Sequence, residues 1–211
     1  MNYQEKVHNL IILDESGSMN SIKKQIISGF NELVQTVKGI AKEYPEQEHL
    51  ITFISFNGLK ITTHLDAKST RSLKEINGRA YKPNASTPLY DAMGFAINKL
   101  RANEKAEKKT NTLVTILTDG VENASKEYDN SAIKALVEEM EEKNWTFTYI
   151  GADHNVEAVA MSLSIKNSMT FGKNEAGLKQ MFETEKVSRM RYSKRISQKK
   201  STKSNYYSEE D

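Results

Sequence analysis

The chain has 211 residues, 37% of them hydrophobic and 27% charged, with a formal charge of +2 and no cysteine. That length holds one domain of ordinary size with a substantial core, and the lack of cysteine excludes disulfides, thiolate metal sites and cysteine catalysis. No apolar run approaches the roughly 18 residues a membrane helix needs. The opening Met1-Asn2-Tyr3-Gln4-Glu5-Lys6 lacks a basic segment followed by an apolar core, so no signal peptide is expected and the chain reads as cytoplasmic.

Residues 10–13, Leu-Ile-Ile-Leu, are dense enough in apolar side chains for a strand buried on both faces. Asp14-Glu15-Ser16-Gly17-Ser18 follows at once. Then Met19, Ile22, Ile26, Phe30, Leu33, Val37, Ile40 and Tyr44 recur every three or four residues and predict a long helix that ends before Pro45. A β-branched and aromatic run over 50–56 predicts a second strand. Asn57-Gly58 predicts a hairpin whose return strand occupies 60–65. A short helix is expected over 71–76, and then a polar loop with two prolines over 82–88.

Leu89, Met93, Ala96, Ile97 and Leu100 mark the next helix, with Thr87 placed to cap it and Pro88 in its first turn. Residues 112–117 predict a buried strand ending in Thr118-Asp119-Gly120. Ile133, Leu136, Val137 and Met140 give a helix, 145–150 a strand, and Val156, Val159, Ala160 and Leu163 a short helix. A last strand over 168–171 precedes a helix bearing Leu178, Met181 and Phe182. This alternation predicts an α/β fold, a doubly wound and mostly parallel sheet with one antiparallel edge strand and helices on both faces.

Charge divides the chain. From 186 onward there are eight basic residues (Lys186, Arg189, Arg191, Lys194, Arg195, Lys199, Lys200 and Lys203) and three acidic ones. Removing them from the totals of 30 and 28 leaves 22 basic against 25 acidic residues in positions 1–185. Hydrophobic periodicity fades at the same place, which predicts a domain over 1–185 and a basic, disordered tail over 186–211. With Tyr192, Tyr206 and Tyr207, that tail is a candidate for contact with nucleic acid or another anionic surface.

In a doubly wound sheet, residues just past the carboxyl ends of the central strands gather in one crevice. Asp14, Ser16 and Ser18 follow one predicted central strand, Asp119 follows another, and Thr87 lies in a loop that can reach the same rim. Two carboxylates and three hydroxyls are an all-oxygen set, which suits Mg²⁺, Mn²⁺ or Ca²⁺ better than zinc or copper. His8, His49, His64 and His154 are scattered. Plainer roles stand beside this one: Ser18 as a helix cap, Asp14 or Glu15 favouring a helix N-terminus, and Thr87 as a plain N-cap. Asp91 is read as a first-turn residue or a support for the site, and Glu122 as a supporting or surface acid.

Asp14-Glu15-Ser16-Gly17-Ser18 resembles the Asp-x-Ser-x-Ser motif of von Willebrand factor A domains. Thr87, within Ser86-Thr87-Pro88-Leu89-Tyr90-Asp91-Ala92, is similar to that family's threonine loop, and Thr118-Asp119-Gly120 to its aspartate loop. Order and spacing agree, and the resemblance covers about residues 7 to 185. It implies a metal-ion-dependent adhesion site in which Ser16 and Ser18 coordinate Mg²⁺, with Mn²⁺ or Ca²⁺ as alternatives. Asp14 and Asp119 would act directly or through water, and Thr87 according to conformational state. The resemblance implies that an open position accepts a carboxylate from a partner protein's Asp or Glu. Many relatives have two glycines before the threonine where this chain has Ala85-Ser86, and Cβ atoms there restrict the backbone.

Enzyme readings find little support. An aspartyl phosphatase would want a carboxylate two residues after Asp14, where Ser16 stands. Neither a Gly-x-Ser-x-Gly elbow nor a Gly-x-x-x-x-Gly-Lys loop occurs. A metal-dependent hydrolase is the alternative left. The expectation is a non-enzymatic, stand-alone scaffold that binds protein partners.

Overall fold

Residues 5–103, 110–152, 154–202 and 206–208 are described in the computed structural model. Among them, β1 (Glu5–Asp14), β2 (Gln47–Asn57), β3 (Lys60–Ser69), β4 (Thr110–Leu117), β5 (Trp145–Gly151) and β6 (Asn167–Thr170) form one sheet in the order β3-β2-β1-β4-β5-β6. Every neighbouring pair is parallel except β2 with the edge strand β3. The helices are α1 (Lys23–Glu43), α2 (Leu89–Asn103), α3 (Asn130–Glu142), α4 (Val156–Ser162) and α5 (Glu175–Ser197). This is the expected doubly wound architecture. No helix among the described residues is long and apolar enough to cross a membrane.

Strand β1 is central because its side chains serve two cores at once. Leu10 and Ile12 join the layer under α2, α3 and α4, with Ile54, Val114, Ile116 and Phe147. Ile11 and Leu13 join the layer under α1 and α5, with Phe30, Phe53, Leu117 and Phe182. Alternate residues of a strand point to opposite faces, so only an unbroken apolar run can satisfy both. The two helices of the second layer meet closely: a Cβ on Gly29 of α1 would lie 1.9 Å from the Phe182 ring of α5. The strand order reverses between β1 and β4, which opens a crevice beyond their carboxyl ends.

Three local expectations need correction. Residues 71–76 are not a helix: a single 3₁₀ turn, Thr70–Ser72, gives way to extended backbone at Leu73. Asn31 of α1 explains why, since its side chain donates to Ile76 O at 3.0 Å and accepts from Ile76 N at 2.8 Å, replacing helical bonds. The long first helix is split, with a 3₁₀ segment over Gly17–Ile22 before α1. The hairpin at Asn57-Gly58 is present, but Gly58 does not have the positive φ of the usual primed turns. Asn57 Oδ1 instead accepts from Leu59 N at 3.0 Å and Lys60 N at 3.2 Å. The glycine is needed because a Cβ there would meet Ser86 Oγ at 2.1 Å.

The expected disordered tail is corrected as well. α5 continues to Ser197, and Tyr192, Ile196 and Tyr206 pack on Val7 and Leu113 at the opposite end of the sheet from the crevice. Arg189 is buried rather than offered to an anionic surface. Its guanidinium donates to Glu185 at 2.7 Å, Asn9 Oδ1 at 2.6 Å and Thr115 Oγ1 at 2.7 Å. Tyr206 and Tyr207 donate to the same glutamate at 3.1 and 3.2 Å. Leu178, Met181 and Phe182 signal the start of this helix, but its continuation past 185 is hidden because much of the buried face there is polar: Glu185, Ser188, Arg189 and Ser193. Lys203, Glu209, Glu210 and Asp211 lie outside the described residues.

Candidate functional site

Asp14 ends β1 with a fully buried side chain. Its Oδ1 accepts from Ser16 N at 2.7 Å and its Oδ2 from Thr118 Oγ1 at 2.6 Å. Burial pushes the carboxyl up to about 6, against the pull of the Thr118 and Ser16 hydrogen bonds. Tyr81, also buried, donates its hydroxyl to the Asp14 carbonyl at 2.7 Å, and burial keeps that phenol protonated. Asp14 therefore orders the turn after β1 more than it faces solvent.

Beyond it the hydroxyls converge. Ser16 Oγ lies 3.1 Å from Ser18 Oγ, and Ser18 Oγ donates to Asp119 Oδ1 at 2.5 Å, joining positions 101 residues apart. Ser18 is exposed, whereas Ser16 and Asp119 are buried, so the cluster has one open side. Thr87 joins the same rim: a Cβ on Gly120 would lie 3.4 Å from Thr87 Oγ1 and 3.5 Å from Ser18 Oγ. Ser16, Ser18, Thr87 and Asp119 thus come together beyond the carboxyl ends of β1 and β4, with Asp14 fully buried beneath them.

The threonine loop is held from three sides. Gly17 N donates to Ala85 O at 2.9 Å, and Asn84 N donates to Glu15 O at 2.9 Å. Glu15, the variable position of the first motif, turns away and accepts from Lys82 N at 2.5 Å and Ser55 Oγ at 3.0 Å. Asn123 brackets Thr87, accepting from its N–H at 2.9 Å and donating from its own N–H to the Thr87 carbonyl at 3.2 Å. Ala85 takes φ 63°, the left-handed conformation that a glycine would adopt freely. The backbone accommodates alanine in place of glycine at the cost of local strain.

Thr87 is not the expected cap of α2. Tyr90 N donates to Glu122 Oε2 at 2.9 Å and Asp91 N to Ser125 Oγ at 3.0 Å, so the aspartate loop caps this helix. Glu122 also accepts from Ala124 and Ser125 N–H, both at 2.7 Å. Asp91 accepts from the N–H groups of Lys126, Glu127 and Tyr128, each at 2.9 Å. Both acids brace the loop rather than face the crevice.

Three contributors escaped the sequence reading. Thr118 was visible within its motif but carried no assigned role. Asn123 and Lys173 offer no local pattern, because each matters only through a partner brought near by the fold. Lys173 Nζ stands 2.7 Å from Asp119 Oδ2 as an ion pair, although its approach lacks hydrogen-bond geometry and that buried oxygen accepts no hydrogen bond.

No group of three or more His, Cys, Asp or Glu gathers among the described residues, so any metal here would depend on hydroxyl oxygens. The residues fit a hard divalent cation on that basis: they supply oxygen donors alone, one buried carboxylate oxygen without a hydrogen bond, and a space before Gly120 bounded by two hydroxyls.

The sequence profile of the von Willebrand factor type A domain matches residues 10–195. The chain belongs to the von Willebrand factor type A domain family. Comparison with curated proteins finds no match. Solved structures share the fold at low identity. The PilB minor pilin of Streptococcus sanguinis is 13% identical with a TM-score of 0.61, covering 90% of this chain but 62% of its own. The vWF domain of the type V pili tip protein Mfa5 of Porphyromonas gingivalis is 12% identical with a TM-score of 0.58, covering 87% and 96%. The manganese-loaded TRAP protein of Plasmodium vivax is 18% identical with a TM-score of 0.55, covering 84% and 73%. The chain thus spans less than two thirds of the pilin.

Proposed function

We propose that this chain is a metal-dependent protein-binding module and not an enzyme. Asp14, Ser16, Ser18, Thr87 and Asp119 would hold a divalent cation, Mg²⁺ first and Mn²⁺ or Ca²⁺ as alternatives. The bound ion would supply a Lewis-acidic position that accepts an Asp or Glu carboxylate from a partner protein. The observation that carries this reading is the hydroxyl and carboxylate chain from Ser16 through Ser18 to Asp119, open to solvent at Ser18. A manganese-loaded neighbour of the same fold supports the choice of ion class.

The surroundings support a macromolecular partner. Leu59, 71% exposed, sits at the hairpin tip that touches Ser86, and Val121, 54% exposed, follows Gly120. Apolar side chains flanking a polar centre are what a protein interface requires.

Calorimetric titration tests this directly. Mg²⁺ or Mn²⁺ should bind the wild-type chain and fail to bind Asp119→Ala or Ser16→Ala/Ser18→Ala. A partner captured from lysate with Mg²⁺ should be released by EDTA. Capture that ignores EDTA and all three substitutions would contradict the proposal.

A further inference from the structure

The turn that carries Lys173 is fastened at both ends. Phe171 N donates to Gly151 O at 2.9 Å, and the Asn174 side chain accepts from Gly177 N at 2.8 Å. A Cβ on Gly177 would lie 2.6 Å from Gly172 O, so the turn presses against the first turn of α5. From this anchor the lysine side chain, 20% exposed, reaches past the end of β5 to Asp119, whose side chain is fully buried. Its ammonium stands at 2.7 Å from Oδ2 while Ser18 occupies Oδ1. Both oxygens of the carboxylate are therefore engaged from within the chain.

We infer that Lys173 is a tethered cation that competes with the divalent ion for Asp119 and so sets the ion concentration at which the site loads. The inference rests on the metal-binding reading above. A divalent ion taking Asp119 would meet the ammonium within a few ångströms, where like charges repel strongly in a half-buried setting. Loading thus requires the ammonium to leave, and its long, flexible, strongly hydrated side chain allows it to swing to solvent. With no ion bound, the same ammonium keeps Asp119 from standing buried and uncompensated.

Mn²⁺ titration of the full chain, read by the spin resonance of free Mn²⁺, tests this with Lys173→Gln, Lys173→Arg and Asp119→Ala. Lys173→Gln should bind Mn²⁺ about tenfold or more tighter than wild type, since it removes the competing charge. Lys173→Arg, which keeps the charge, should bind like wild type. In EDTA, Lys173→Gln should melt below wild type and recover more than wild type on adding Mg²⁺. Equal or weaker binding by Lys173→Gln, with binding lost in Asp119→Ala, would overturn the inference and leave the metal site standing. Failure of wild type and both lysine variants to bind Mn²⁺ would overturn the metal reading together with it.

Discussion

Thr118 Oγ1 donates to Asp14 Oδ2 at 2.6 Å, closing the ends of two central strands across 104 residues of chain. Asp14 is buried and takes the Ser16 N–H on its other oxygen, so this bond decides whether the carboxylate is fully satisfied. Thr118→Val keeps the shape and removes the donor. It should lower stability by about 1–3 kcal/mol in urea unfolding, the usual cost of an orphaned buried acceptor. Thr118→Ser should restore most of it, and no loss in the valine variant would show that water replaces the hydroxyl.

Ala85 carries a left-handed φ of 63° in the loop that presents Thr87. Alanine pays about 1–2 kcal/mol for that conformation, while glycine adds some entropy to the unfolded chain. Ala85→Gly should therefore raise stability by about 0.5–1 kcal/mol, measured by thermal or urea unfolding. Lower stability would mean that the alanine methyl makes a contact worth more than the strain.

The buried pair of Glu185 and Arg189 ties α5 to Asn9 of β1 and Thr115 of β4. Glu185→Leu strands the guanidinium and should cost about 3–5 kcal/mol, whereas Glu185→Leu with Arg189→Met should recover most of that loss. Truncation after residue 185 should unfold the domain. A folded truncation product would return these residues to the role of a dispensable tail.

How much was legible in the sequence follows from where each signal resides. β1 is readable because Leu10 to Leu13 serve two cores, and the grouping of the candidate site is readable because Asp14, Ser16, Ser18 and Asp119 sit at or just past strand ends. The continuation of α5 past 185 is hidden because glutamate and arginine are usually surface residues, and Glu185 and Arg189 become core only by pairing with each other. The plainer capping role open to Thr87 is filled by Glu122 and Ser125 from another loop. Lys173 lay hidden because no spacing relates it to Asp119. Local periodicity reports apolar burial well and polar burial poorly.

His8 and His49 predict the acid response. Burial, the largest cause in both, depresses each imidazole to about 4, and His8 Nε2 pairs with Thr52 Oγ1 at 2.9 Å. Their folded values lie below the ordinary 6.5, so the unfolded chain binds more protons between pH 6.5 and 4. Stability is fully present above 6.5 and falls as pH drops through that window, by on the order of 2–3 kcal/mol per histidine. Asp14 acts in the opposite sense between its ordinary 3.8 and about 6, which offsets part of the loss. Urea unfolding from pH 7 to 4 should show a net decline that His8→Leu reduces. A profile identical in the two proteins would contradict the assignment to His8.

The most direct measurement of the central claim is a crystal structure of the full chain grown with Mn²⁺, with data collected for the anomalous signal of manganese. The account predicts one strong peak bonded to the hydroxyls of Ser16 and Ser18 near Asp119, with Lys173 turned away. No peak in that crevice at saturating Mn²⁺, or a peak only elsewhere, would contradict it.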